Sequence, residues 1–92
     1  LVTDKFMQSL EDGTTFDLIT PYDGSVVGEG SPDKIWDKLA ESSYMSGDPG
    51  IIFIDTVNKY NPSIKDTIIN CTNPCGEQPL IPDGCCNLSA IN

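Results

Sequence analysis

Asn70-Cys71-Thr72-Asn73-Pro74-Cys75-Gly76-Glu77-Gln78-Pro79-Leu80 carries proline at 74 and 79 and glycine at 76. Proline lacks a backbone donor and fixes φ, and glycine weakens a strand, so neither regular helix nor a central strand fits here. The expected backbone is a constrained loop. If that loop is extended, Asn73, Cys75 and Glu77 stand two residues apart and face one way. An amide, a thiol and a carboxylate so placed offer three distinct chemistries. Cysteine can carry a radical or act as a nucleophile, glutamate can take a proton, and asparagine can orient a hydroxyl. Spacing alone leaves the alternative of a plain surface turn open.

The upstream sequence supplies the elements around this loop. Residues 2–10 place apolar side chains at 2, 6, 7 and 10, a helical spacing closed by Gly13. Thr14-Thr15-Phe16-Asp17-Leu18-Ile19 and Ser25-Val26-Val27-Gly28 flank the turn sequence Pro21-Tyr22-Asp23-Gly24, which predicts a β-hairpin. The clearest helix is Pro32 to Ser46. Ser31 suits its N-cap, Pro32 its first position and Asp33 the positive end of its dipole. Ile35, Trp36, Leu39, Ala40, Ser43 and Tyr44 form a continuous stripe, expected to pack in a core. Gly47 provides the left-handed stop.

Ile51-Ile52-Phe53-Ile54 is an unbroken apolar run, which suits a strand buried on both faces of an α/β sheet. Residues 55–62 suggest a short helical turn broken at Asn61-Pro62, Ile68-Ile69 a brief strand, and the chain from Asn70 onward a loop. Ninety-two residues have little material to cover both faces of a buried strand. Together with the lack of an initiating methionine, this points to a segment of a larger protein.

Composition narrows the chemistry further. Fourteen carboxylates face five basic side chains, giving a formal net charge of −9, and the chain has no histidine. All five basic residues are lysines, and the lack of clustered cations to grip a phosphate backbone argues against a nucleic-acid module. A Ser-His or Cys-His pair is impossible within the chain. No apolar run approaches the roughly 18–20 residues that cross a bilayer, and the first residues do not form a secretory signal. All four cysteines fall between Cys71 and Cys86. Scaffold disulfides would close long loops, so a local group of thiols in an acidic chain favours redox or metal chemistry in the cytoplasm.

Asn73-Pro74-Cys75-Gly76-Glu77-Gln78-Pro79-Leu80, followed by Cys86-Asn87-Leu88-Ser89-Ala90-Ile91-Asn92, resembles the finger loop and following strand of ribonucleotide reductases. The proline and glycine around Cys75 are most similar to the adenosylcobalamin-dependent, class II members. Trp36-Asp37-Lys38-Leu39-Ala40, Gly47-Asp48-Pro49-Gly50-Ile51-Ile52-Phe53-Ile54-Asp55 and Asn61-Pro62 extend the resemblance in order and spacing, with residues 2–30 the loosest part. The resemblance implies an α/β fold in which residues 1–92 are part of the family's ten-stranded α/β barrel, with the finger loop at about residues 70–80.

It also implies site roles. Cys75 would be the thiyl-radical residue that removes the 3′-hydrogen of a ribonucleotide, and Glu77 would accept the proton of the 3′-hydroxyl. Asn73 would hydrogen-bond the ribose hydroxyls, and Cys86 would be one half of the reducing dithiol. The implied cofactor is adenosylcobalamin. The implied partners are a ribonucleotide di- or triphosphate, deoxynucleotide effectors and a thioredoxin-like reductant, with no nucleic acid and no membrane. No cysteine precedes Cys71, so the second reducing thiol is absent and the isolated chain is expected not to turn over. Cys71 and Cys85 match no catalytic position. Two other readings compete: a metal module built on Cys71, Cys75, Cys85 and Cys86, and a non-catalytic α/β module. Adjacent cysteines rarely both reach one metal ion, which weighs against the first.

Overall fold

The structure is a computed structural model that describes residues 1–62 and 67–92. It consists of two compact units. One spans Val2 to Ile51, and the other contains Leu1 with residues 52–92.

The first unit opens with helix α1, Asp4–Asp12. Thr3 starts it: its hydroxyl accepts the Phe6 amide at 3.1 Å, satisfying one of the donors a helix leaves open at its first turn. Gly13 ends it at φ 64°, a left-handed position that glycine adopts without a Cβ penalty. The helix therefore begins two residues later than its apolar spacing suggests, because Val2 makes an isolated bridge and Thr3 is the extended N-cap. Ser9 is buried on α1 and donates to the Phe6 carbonyl at 2.7 Å, so its hydroxyl is not left unpaired.

Strands β1 (Phe16–Ile19) and β2 (Val26–Gly30) form the expected hairpin, antiparallel with Phe16 opposite Gly30 and a register irregularity between Leu18 and Ile19. Its connection is built on Asp23. That carboxylate accepts from the Thr20 hydroxyl, the Ser25 amide at 2.9 Å and the Ser25 hydroxyl at 2.7 Å. The Phe16 ring meets Phe6 edge-on, centroids 5.5 Å apart at 74°, an arrangement that aromatic quadrupoles favour. The same ring covers Gly30, where an added Cβ would lie 2.6 Å from Phe16 Cζ. Hairpin and α1 are thus joined through one aromatic pair seated on a glycine.

Helix α2, Pro32–Ser46, has the bounds its capping residues predict, with Gly47 left-handed at φ 79°. Ser31 occupies the N-cap, but its side chain makes no capping hydrogen bond; the fixed φ of Pro32 at the start of the helix sets the entry instead. The face that packs is narrower than the predicted stripe. Pro32 is fully buried, and Trp36, Leu39 and Ser43 are half-buried, whereas Ile35 is 42% exposed and Tyr44 90% exposed. Core packing is therefore corrected for Ile35, Ala40 and Tyr44, which are exposed on α2.

In the second unit the apolar run at 51–54 is not a strand. Only Phe53 makes an isolated bridge, and Ile54 is already the first residue of helix α3, Ile54–Lys59. Four apolar residues are too few to separate strand from buried helix start by pattern. Ile54 and Ile69 form the buried apolar contact surface of this unit. Ile69 is not in a strand either; the Asn58 side chain takes the place of a neighbouring strand. Asn58 Oδ1 accepts the Ile69 amide at 2.9 Å, while Nδ2 donates to the carbonyls of Ile69 at 2.8 Å and Ile54 at 3.1 Å. This one amide satisfies both backbone groups of Ile69.

Beyond it, β3 (Cys71–Thr72) and β4 (Pro79–Leu80) pair antiparallel, Cys71 opposite Leu80 and Thr72 opposite Pro79. Within the stretch expected to be loop from Asn70 onward, residues 81–92 carry neither helix nor strand, as expected, while residues 71–80 form a short hairpin. Its two strands tolerate Pro79 because each has a free edge. Among the described residues the fold has mixed helix and strand content, with two two-stranded sheets. No helix among the described residues is long and apolar enough to cross a membrane.

Candidate active site

The β3–β4 hairpin carries the residues of interest on its connection. Asn73, Pro74, Cys75 and Gly76 form a tight turn closed by the Gly76 amide donating to the Asn73 carbonyl at 3.1 Å. Pro74 fills the turn position that its fixed φ suits, and Gly76 is left-handed at φ 82°. The Asn73 amide then donates to the Gln78 carbonyl at 3.2 Å, and the Gln78 amide returns to Asn73 Oδ1 at 3.0 Å. An added Cβ at Gly76 would meet Ile52 Cδ1 at 3.7 Å, an ordinary contact, so glycine is required there by φ rather than by space.

This geometry changes the expectation of an extended loop with three side chains on one face. The turn coils the backbone. Asn73 is buried at its base, where its side-chain oxygen holds the Gln78 amide. Cys75 and Glu77 are exposed on the turn, and neither side chain is tied by a hydrogen bond to another described residue. The thiol and carboxylate are thus presented outward, and the asparagine is the fixture that shapes their support. An exposed thiol beside an exposed carboxylate can approach a bound molecule without first breaking protein contacts.

Cys86 reaches the same loop by a second turn. The Gly84 amide donates to the Ile81 carbonyl at 3.0 Å, and Asp83 takes a positive φ of 60°. This reversal returns the chain so that the half-buried Cys86 thiol donates to Gln78 Oε1 at 2.7 Å. Gln78 therefore touches both Asn73 and Cys86. Its role was not legible in the sequence, because it depends on where the second turn sends the chain.

All four cysteines are free thiols. Cys71 is half-buried, with its sulfur 3.4 Å from the Leu80 carbonyl oxygen and 3.8 Å from that of Ile81, which gives it a packing role. Cys85 is exposed, with Asn87 Nδ2 at 3.8 Å. Among the described residues no group of three or more histidine, cysteine, aspartate or glutamate side chains is placed to hold a metal ion. Cys71, Cys85 and Cys86 lie beside separate groups, and Cys75 stands exposed.

The candidate site is a compact turn with an outward thiol and carboxylate, a buried amide at its base and a returning second cysteine. Over residues 1–92 the sequence matches the family described as ribonucleotide reductase, barrel domain, and the chain belongs to that family. Among its relatives is the vitamin B12-dependent ribonucleoside-diphosphate reductase of Thermoplasma acidophilum, 40% identical over 91 residues. That alignment covers 99% of this chain and 12% of the relative. The enzyme of the same name from Mycobacterium tuberculosis is 38% identical over 91 residues, covering 99% of this chain and 13% of the relative. The vitamin B12-dependent ribonucleotide reductase of Streptomyces avermitilis is 34% identical over 91 residues, with 9% of the relative covered. The chain thus spans about an eighth or less of the length of these relatives. No solved structure matches it significantly.

Proposed function

We propose that this chain is the finger-loop portion of the ten-stranded catalytic barrel of an adenosylcobalamin-dependent ribonucleotide reductase. The observation that carries the reading is the turn at residues 73–76, which leaves the Cys75 thiol and the Glu77 carboxylate outward and unengaged on a chain of this family. In this reading residues 1–92 are one barrel segment, and residues 70–80 form the loop that enters its centre.

Cys75 as a thiyl radical takes the hydrogen atom from C3′ of a ribonucleoside di- or triphosphate, becoming a thiol. Glu77 takes the 3′-hydroxyl proton, and the 2′ oxygen leaves as water. Cys75 ends by returning its hydrogen atom to C3′, which restores the thiyl radical, and Glu77 gives back the 3′ proton. Two thiols supply two electrons and two protons, one proton leaving in water and one going to C2′, and end as a disulfide. Cys86 is one of them, and its partner lies outside this segment. Asn73 serves first to hold the turn, and it orients the ribose hydroxyls from the base of the loop. A thioredoxin-like protein then reduces the disulfide by thiol–disulfide exchange, deoxynucleotides act as effectors, and the protein works in the cytoplasm. Because the partner thiol lies elsewhere, the isolated segment is inactive.

Adenosylcobalamin supplies the radical when bound. The residues present do not fit it by themselves: Cys75 stands in the open, and the chain has no histidine to ligate cobalt. Its binding falls to other parts of the barrel.

The test is Cys75→Ser in the full-length protein, assayed for deoxynucleotide formation with cobalamin and a dithiol, alongside substrate binding. Product is expected to vanish while binding persists. Retained turnover would remove Cys75 from the radical role.

A further inference from the structure

We propose that Gln78 is a positioning residue whose side-chain amide holds the Cys86 thiol against the base of the Cys75 loop. The claim deepens the reading above, since the significance of Cys86 rests on it, but the contact itself does not.

Three features place the two side chains together. The backbone of Gln78 is fixed at both polar groups by Asn73: its carbonyl accepts the Asn73 amide at 3.2 Å, and its own amide reaches Asn73 Oδ1 at 3.0 Å. With its backbone held, only side-chain rotation remains free. The turn at residues 81–84 sends the following residues back toward the loop. Gly84 is needed for that reversal, since an added Cβ would sit 2.9 Å from the Ile81 carbonyl oxygen. The sulfur of Cys86 then lies in hydrogen-bond contact with Gln78 Oε1, the thiol donating to the amide oxygen.

The chemistry of the side chain fits the task. Glutamine spans the gap with one methylene more than asparagine and offers an uncharged oxygen that accepts the thiol hydrogen. Both groups are half-buried, so water competes less for the thiol than it would at the surface. A thiol that must meet one partner sulfur benefits from having its rotamer chosen before the partner arrives. The Asn73, Gln78 and Cys86 contacts form one chain, so the order of the turn at Cys75 and the orientation of Cys86 are coupled.

The experiment reads the S–H stretching band of Cys86 by Raman spectroscopy on the full-length protein, isolated as the difference from Cys86→Ser. The band is expected at lower frequency than that of an unbonded thiol. Gln78→Met, close in length and bulk but without an acceptor oxygen, should move it to the unbonded position, and Gln78→Glu, which keeps an oxygen, should hold it low. A role in packing alone predicts that methionine leaves the band unmoved, and that result overturns the proposal. So does an unbonded band in the unsubstituted protein.

Multiple-turnover product formation in Gln78→Met should fall about three- to tenfold with KM unchanged, the loss of one hydrogen bond, and Gln78→Glu should recover part of it. If the band moves as expected but neither Gln78→Met nor Cys86→Ser lowers turnover, the contact stands and the reductant role of Cys86 is what fails.

Discussion

Replacing Asn73 by alanine removes the acceptor of the Gln78 amide while leaving the backbone turn otherwise intact. In the native loop Asn73 is buried, and its Oδ1 lies 3.0 Å from that amide nitrogen. Gln78 is itself half-buried, so its amide would lose a partner without full access to water. Leaving such a donor unpaired costs about 1–3 kcal/mol. The population of the closed loop relative to its opened form should fall by roughly 5- to 150-fold. Native-state hydrogen exchange reads this directly, because local opening governs exchange at a single amide. In the full-length protein Asn73→Ala should lower the protection of the Gln78 amide by that factor, with the amides of α2 unaffected. Asn73→Asp keeps an oxygen at the same position and should preserve most of the protection. Unchanged protection at Gln78 in Asn73→Ala would refute the claim that Asn73 builds the loop.

Gly30→Ala should destabilise the first unit by about 1–3 kcal/mol, the usual cost of overpacking, because its Cβ would lie 2.6 Å from Phe16 Cζ and disturb the Phe6–Phe16 pair; the midpoint of urea unfolding checks it. Asp23 has its pKa lowered from 3.8 to about 2, first by the Thr20 hydroxyl and then by the Ser25 amide and hydroxyl. Its contribution to the hairpin is therefore fully present above its unfolded pKa near 3.8 and is lost as pH falls through about 2. A carboxyl-carbon NMR titration should give that low midpoint, and Thr20→Val should raise it. Cys86→Ser should permit substrate binding and radical formation yet yield no deoxynucleotide even in the first round, as shown by a product assay with reductant in excess.

Elements whose signals are local were the most legible. Pro32 and Gly47 bound α2 through backbone preferences that need no tertiary context, and Gly13 did the same for the end of α1. The hairpin at β1 and β2 was readable because its turn sequence sits between two β-rich stretches. Packing was less legible. Ile51-Ile52-Phe53-Ile54 has the composition of a buried strand, yet Ile54 begins a helix, and Asn58 rather than a strand satisfies Ile69. No pattern in sequence announces an asparagine that substitutes for a strand.

At the site, the sequence offers candidate residues but not their arrangement. Cys75 and Glu77 were singled out for the thiol and the carboxylate they carry, and both prove outward and unengaged. Asn73 was expected beside them and is instead buried beneath them, because Pro74 and Gly76 coil the loop that alternation had drawn straight. Gln78 was not noticed, since its meaning depends on a turn at residues 81–84 that brings Cys86 back.

The most direct test of the account compares Cys75 with Cys71 and Cys85 in one chemical step. Full-length protein, reduced beforehand and given cobalamin and substrate without external reductant, is assayed for a single round of deoxynucleotide formation in each of Cys71→Ser, Cys75→Ser, Cys85→Ser and the unsubstituted form. The account predicts product from all except Cys75→Ser, which should bind substrate and form none. Product from Cys75→Ser, or its loss in Cys85→Ser with Cys75 intact, would contradict it.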